Sequence, residues 1–99
     1  MFVVAAAMCN VAAFVSHPAL LLCEVAGSKT ADWMYQTSEH SSRHEISVNG
    51  TTIMAHYGRF TVDGSSLIIN EVKAIDAGIY SCGNGSQLHH KLRLNIFGV

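Results

Sequence analysis

Charge is scarce in this 99-residue chain. Six lysines and arginines stand against seven aspartates and glutamates, a net of −1. That balance excludes the basic footprint of a nucleic-acid binder and the polybasic patch of a protein held at a membrane surface. Proline occurs once and glycine eight times, too few for a collagen-like or low-complexity chain. No run of 18 apolar residues offers a transmembrane helix. Helical 3.6-residue periodicity is also missing; only residues 71–77 could hold a single helical turn. What is present is apolar: 49% of the chain, enough to build the core of one domain spanning residues 1–99.

The first fifteen residues are small and apolar and admit two readings. They resemble the apolar part of a secretory leader, yet the first Lys or Arg is Lys29, so the usual basic start is lacking. Otherwise residues 1–11 are strand A or an N-terminal extension. Beyond them the chain reads as strands separated by turns. Ala19, Leu21, Cys23 and Val25 share one face of a strand, with Leu20, Leu22 and Glu24 on the other. Residues 31–35 alternate again, with Trp33 inward. Residues 37–43 are polar and loop-like. Asn49-Gly50 joins two short strands as a hairpin turn, and Asp63-Gly64 joins two more. Residues 79–82 and 88–96 are the last strands, with a tight turn expected over 83–86. Many short strands in about 100 residues indicate an all-β sandwich.

One constellation is more specific. Trp33 follows Cys23 by ten residues, and Asp76-Ala77-Gly78-Ile79-Tyr80-Ser81-Cys82 ends on a second cysteine. This resembles the immunoglobulin superfamily, whose domains carry Cys, a core Trp and an Asp-x-Gly-x-Tyr-x-Cys run. The resemblance covers roughly residues 12–97 and includes strands like D and E at 59–62 and 66–69. It implies a Greek-key sandwich of two antiparallel sheets. It also implies a Cys23–Cys82 disulfide between the sheets, worth about 4 kcal/mol in the chain-entropy account. Trp33 would pack on that bridge. Tyr80 would bond back to the backbone at the corner between the strands. Arg59 and Asp76 would form a salt bridge closing the same end. One departure is visible, His17-Pro18 where a glycine is common.

A disulfide implies an oxidising compartment. Two sequons, Asn49-Gly50-Thr51 and Asn84-Gly85-Ser86, fit extracellular placement, although Asn-Gly is equally good turn chemistry. Cys9 is left over. It reads as a buried inert thiol, a link to another chain, or part of a removed leader.

Catalytic chemistry is not legible. No nucleophile stands with a base in a known short motif, and no cofactor or small-molecule substrate is expected. Six histidines are present, but His40 and His44 lie in a segment without helical pattern. His89 and His90 are adjacent, so on a strand they point to opposite faces. No metal site is expected.

Recognition remains. Alternation that buries Trp33 and Tyr80 turns Met34 and Ile79 outward. With Ser81, Lys91 and Arg93 they make a candidate partner face, apolar in the middle and basic at the rim. Leu20, Leu22 and Ile68 would face out from the other sheet, which is unusual for a monomer. The expected function is an extracellular recognition domain of a cell-surface or secreted adhesion molecule or receptor, binding another protein or a copy of itself. Any membrane contact would come through regions outside this chain. A spacer module of a multi-domain array is the alternative. An antigen-receptor variable domain is disfavoured: residues 92–99 lack the Gly-x-Gly bulge, and the Trp33-to-Arg59 interval is short for two full extra strands with a long hypervariable loop. An intermediate-type domain is preferred.

Overall fold

The computed structural model describes residues 9–23, 31–48, 50–53, 58–84 and 87–98. Among them are nine strands: β1 (Cys9–Phe14), β2 (Ala19–Leu21), β3 (Asp32–Gln36), β4 (His44–Val48), β5 (Thr51–Thr52), β6 (Phe60–Asp63), β7 (Ser66–Ile69), β8 (Gly78–Asn84) and β9 (Gln87–Phe97). A single 3-10 turn, Ala74–Asp76, sits between β7 and β8. The strands form a six-stranded sheet ordered β1-β9-β8-β3-β4-β5 and a three-stranded sheet ordered β2-β7-β6. The all-β, two-sheet sandwich expected from the alternation is what is found. Its layout is compatible with an immunoglobulin-like domain.

Turn chemistry sets the hairpins. Asp63 pairs with Ser66, leaving Gly64 and Ser65 to reverse the chain, and Gly64 takes a φ of 62°. Val48 pairs with Thr51, and Gly50 takes a φ of 78°. Both positive values suit glycine, which carries no Cβ. Alternation then sorts the faces. Ala19, Leu21 and Cys23 are buried while Leu20 and Leu22 are exposed. The core joins Leu21, Trp33, Ile46, Leu67, Ile69, Val72, Tyr80 and Leu94 between the sheets.

Four details depart from the sequence reading. First, β1 pairs with β9 in parallel, from Cys9 opposite Leu92 to Phe14 opposite Phe97. The chain leaves β1 by a turn into the other sheet, so β1 has no hairpin partner, and the strand beside it runs the same way. Every other ladder is antiparallel. Second, the two short strands expected around Asn49-Gly50 are present beyond β3 as β4 and β5, but β5 is cut to Thr51–Thr52. Third, the turn expected over residues 83–86 is narrower. Gly83 and Asn84 still pair with Leu88 and Gln87, so the ladder runs on past the expected start of the turn. Fourth, Cys9 is exposed, which removes the buried-thiol reading.

The strand expected over residues 1–11 begins at Cys9, and residues 1–8 lie outside the described part. So does Asn49, one candidate glycosylation residue. The other, Asn84, is the last residue of β8.

The thiols give a direct check. In the native protein an alkylating reagent should modify Cys9 alone, and Cys23 and Cys82 only after reduction. Peptide mapping reads the result, and a modified Cys82 in unreduced protein would contradict the fold.

Candidate functional site

Two groups of residues singled out by the sequence are well placed, and a third is only partly so. The first is the pin between the sheets. Cys23, just past β2, is bonded to Cys82 of β8 across 59 residues, with Cα atoms 6.2 Å apart. Trp33 lies in register with Cys82 on the neighbouring strand and is fully buried. Its indole Nε1 donates to the Ser65 carbonyl at 3.2 Å, in the turn of the opposite sheet. A large ring with one polar handle is thereby buried with its N–H satisfied. The Trp33 backbone N–H donates to the Ser47 hydroxyl at 3.2 Å, beside an irregularity in the β3–β4 ladder.

The second group is the corner around Asp76. Arg59, just before β6, places Nη2 at 2.7 Å from each carboxylate oxygen. The Lys73 N–H donates to Oδ2 at 2.7 Å. Asp76 is buried and the Arg59 side chain is one-third exposed (32%). The Tyr80 hydroxyl donates to the Asp76 carbonyl at 2.8 Å. The expected salt bridge and tyrosine corner both exist. A buried carboxylate with two charge-assisted donors is stable where an unpaired one is not.

Tyr35 is a further member that the sequence reading missed. Its hydroxyl donates to the Ala77 carbonyl at 2.8 Å and the Ile75 carbonyl at 3.2 Å. Its ring lies 5.0 Å from that of Tyr80. The signal was available: Tyr35 sits two residues after Trp33, on the inward side of the same strand. Gly78 makes room for it. The glycine has a φ of 150°, and a Cβ there would meet the Gln36 carbonyl at 2.7 Å and the Tyr35 ring at 2.8 Å.

Burial raises the pKa of both phenols above the usual tyrosine range, and the negative charge of Asp76 adds to the effect. Arg59 opposes it at Tyr80, with a smaller influence.

The third group, the candidate partner face, needs correcting. Ile79 and Ser81 do point away from the core cluster, but both are buried, Ile79 to 0% exposure. Strand β8 is central. Gln36 and Arg93 stand in register on either side of Ile79, and Met34 and Lys91 on either side of Ser81. Long neighbours on one face shut water away from the shorter residues between them. Gln36 is held in place by donating to the Ser38 carbonyl at 2.6 Å and accepting from Arg43 Nε at 3.3 Å. The Ser81 hydroxyl is buried without a hydrogen bond. Met34 and Arg93 are half-buried and Lys91 exposed, so around Ile79 and Ser81 it is these longer side chains that meet water. Alternation gives the direction of a side chain, not its exposure.

Apolar side chains are more exposed elsewhere, at Phe14 and Phe97 at one end of this sheet and on the other sheet. Leu20 and Leu22 are 56% and 66% exposed, and half-buried Ile68 pairs with Leu20. Among the described residues, no three of His, Cys, Asp and Glu converge as metal ligands would. No helix there is long and apolar enough to cross a membrane. Comparison with known protein families finds no match, and no curated protein matches the chain.

Two measurements test the corner. Asp76→Ala should lower stability by about 2–3 kcal/mol, because it strands Arg59 and the Lys73 N–H together; Asp76→Asn should cost less. The urea midpoint checks both. In alkaline titration followed by ultraviolet absorbance, Tyr35 and Tyr80 should ionise above the ordinary value of about 10. The unfolded chain ionises first, so stability is full below pH of about 10 and falls as pH rises beyond it. Tyr35→Phe should reduce that loss.

Proposed function

We propose that this chain is an immunoglobulin-superfamily domain of a cell-surface or secreted protein, and that it works by recognising another protein rather than by catalysis. Cys23, Trp33, Cys82 and the Asp76–Tyr80 corner support the family reading together. The inter-sheet disulfide supports an oxidising, extracellular setting. The reactive-looking groups, Asp76, Tyr80, Tyr35 and Arg59, are all engaged in holding the corner.

The observation that carries the recognition reading is the outer face of β2. Leu20 and Leu22 stand largely in water beside Ile68, with the uncharged Thr61 next in register. An uncharged apolar strip of this kind fits a partner protein with an apolar surface of its own. It displaces Ile79 and Ser81, which are covered. A spacer module is the second reading, and it has one observation in its favour. Phe14 and Phe97 are both exposed, their rings 6.1 Å apart, at one end of the β1–β9 ladder, where an adjoining domain could pack.

Display on fluorescent beads separates the two. Beads carrying the domain should bind cells or cluster with one another, since many weak contacts act together. Leu20→Asp with Leu22→Asp should abolish this, while Lys91→Glu with Arg93→Glu should leave it. No binding by the parent domain favours the spacer. Binding untouched by the leucine changes removes β2 as the contact.

A further inference from the structure

Strands at the edge of a sheet present unpaired N–H and C=O groups, and folded proteins blunt them with charge, proline, bulges or shortness. Among the described strands the sandwich has four edges: β1, β5, β2 and β6. Three are blunted. β5 has two residues, and β2 has three and follows Pro18 directly. β6 follows Arg59 and ends on Asp63. β1 has no such device. Its six residues, Cys9-Asn10-Val11-Ala12-Ala13-Phe14, carry no charge and no proline, and its pairing with β9 runs without a register shift.

The ladder shows which groups face the open side. The Val15 N–H donates to the Phe97 carbonyl at 2.9 Å. In a parallel pair every second residue bonds its neighbour, so Val11 and Ala13 also turn their N–H and C=O toward β9. The groups of Asn10 and Ala12 therefore point outward. Next to this edge the chain leaves an open hollow of about 290 Å³ whose lining includes Val11, Ala12, Phe14, Pro18 and Leu20 together with His17. Among the described residues no strand lies beyond β1.

We infer that β1 is a docking edge for a second copy of this chain, added antiparallel across a twofold axis to merge two six-stranded sheets into one. An uncharged edge of this length is matched by another uncharged edge, and among the described strands only β1 supplies it. The register follows from two conditions. Opposite residues in an antiparallel pair share a face, and outward-bonding residues must meet outward-bonding residues. Both hold when Asn10 stands opposite the partner's Ala12, with Val11 on the axis. Centring on Ala12 would set Asn10 against the partner's Phe14, a residue whose carbonyl already accepts from His17 at 3.1 Å. In the favoured register Cys9 lies four positions from the partner's Cys9, roughly 13 Å along the strand and beyond disulfide reach. The pairing is closed: it uses up both β1 edges and stops at two copies. The contact is made by the backbone edge of β1 rather than by the leucine side chains, although Leu20 borders the hollow beside it; the charge swap leaves both leucines in place, so its test does not depend on the recognition reading.

Sedimentation over a broad concentration range tests it, with each variant's urea midpoint as the check on folding. The expected result is a weak monomer–dimer equilibrium, indifferent to reductant and to Cys9→Ser. Amide exchange at Asn10 and Ala12 should slow as the dimer forms. N10K/A12K should weaken association by about tenfold through like charges placed opposite each other, and N10D/A12K should restore it. A monomer at every concentration, a dimer that requires oxidised Cys9, species larger than a dimer, or a charge swap that fails to restore association would each overturn the inference.

Discussion

The two sheets share no strand ladder, so side chains must hold one against the other. Three connections do this. The Cys23–Cys82 bond crosses the middle, and the Trp33 indole reaches the Ser65 carbonyl beside it. The Arg59–Asp76 pair ties the start of β6 to the connection that leads into β8. These contacts cluster around two adjacent strands, β3 and β8, which supply Trp33, Tyr35, Tyr80 and Cys82. The rest of the sandwich is arranged about that pair. The β1–β2 turn is fastened in turn to the corner connection, because the Ser16 N–H donates to Val72 and the Val72 N–H to His17.

Much of this was legible in the sequence, and for an identifiable reason. A cysteine, a tryptophan and an Asp-x-Gly-x-Tyr-x-Cys run are constrained by contacts that have few chemical substitutes. Only a thiol pair makes the covalent pin, and only a residue without Cβ fits Gly78 against the Gln36 carbonyl. Alternation assigned the inward set correctly: Leu21, Trp33, Leu67, Ile69, Tyr80 and Leu94 are buried as their spacing requires. The parallel pairing of β1 was not legible, since no local signal encodes which distant strand an uncharged segment will join. Nor was the cover over Ile79. Its burial depends on Gln36 and Arg93, residues distant in sequence that register brings to either side.

That cover changes the chemical character of the six-stranded sheet's outer face. Ile79 supplies packing without offering an apolar surface, and Ser81 contributes a buried hydroxyl with no hydrogen bond beneath Met34 and Lys91. The smaller sheet does the opposite. Among its three described strands only β7 is interior, so Leu20 of β2 has a ladder neighbour on one side only and remains in water, as does Leu22 just past the strand. Ladder neighbours thus cover Ile79 and leave Leu20 open to a partner.

The parallel β1–β9 pair also fixes how the domain bears load. Its first and last strands run side by side in the same direction, Cys9 beside Leu92 and Phe14 beside Phe97. Tension applied to the chain before Cys9 and after Phe97 would drag the two strands past each other lengthwise. Their hydrogen bonds are then strained all together rather than opened one by one from an end, as pulling on the two arms of a hairpin would do. The same pairing that leaves one edge of the sheet open would thus set these two strands in shear under such tension.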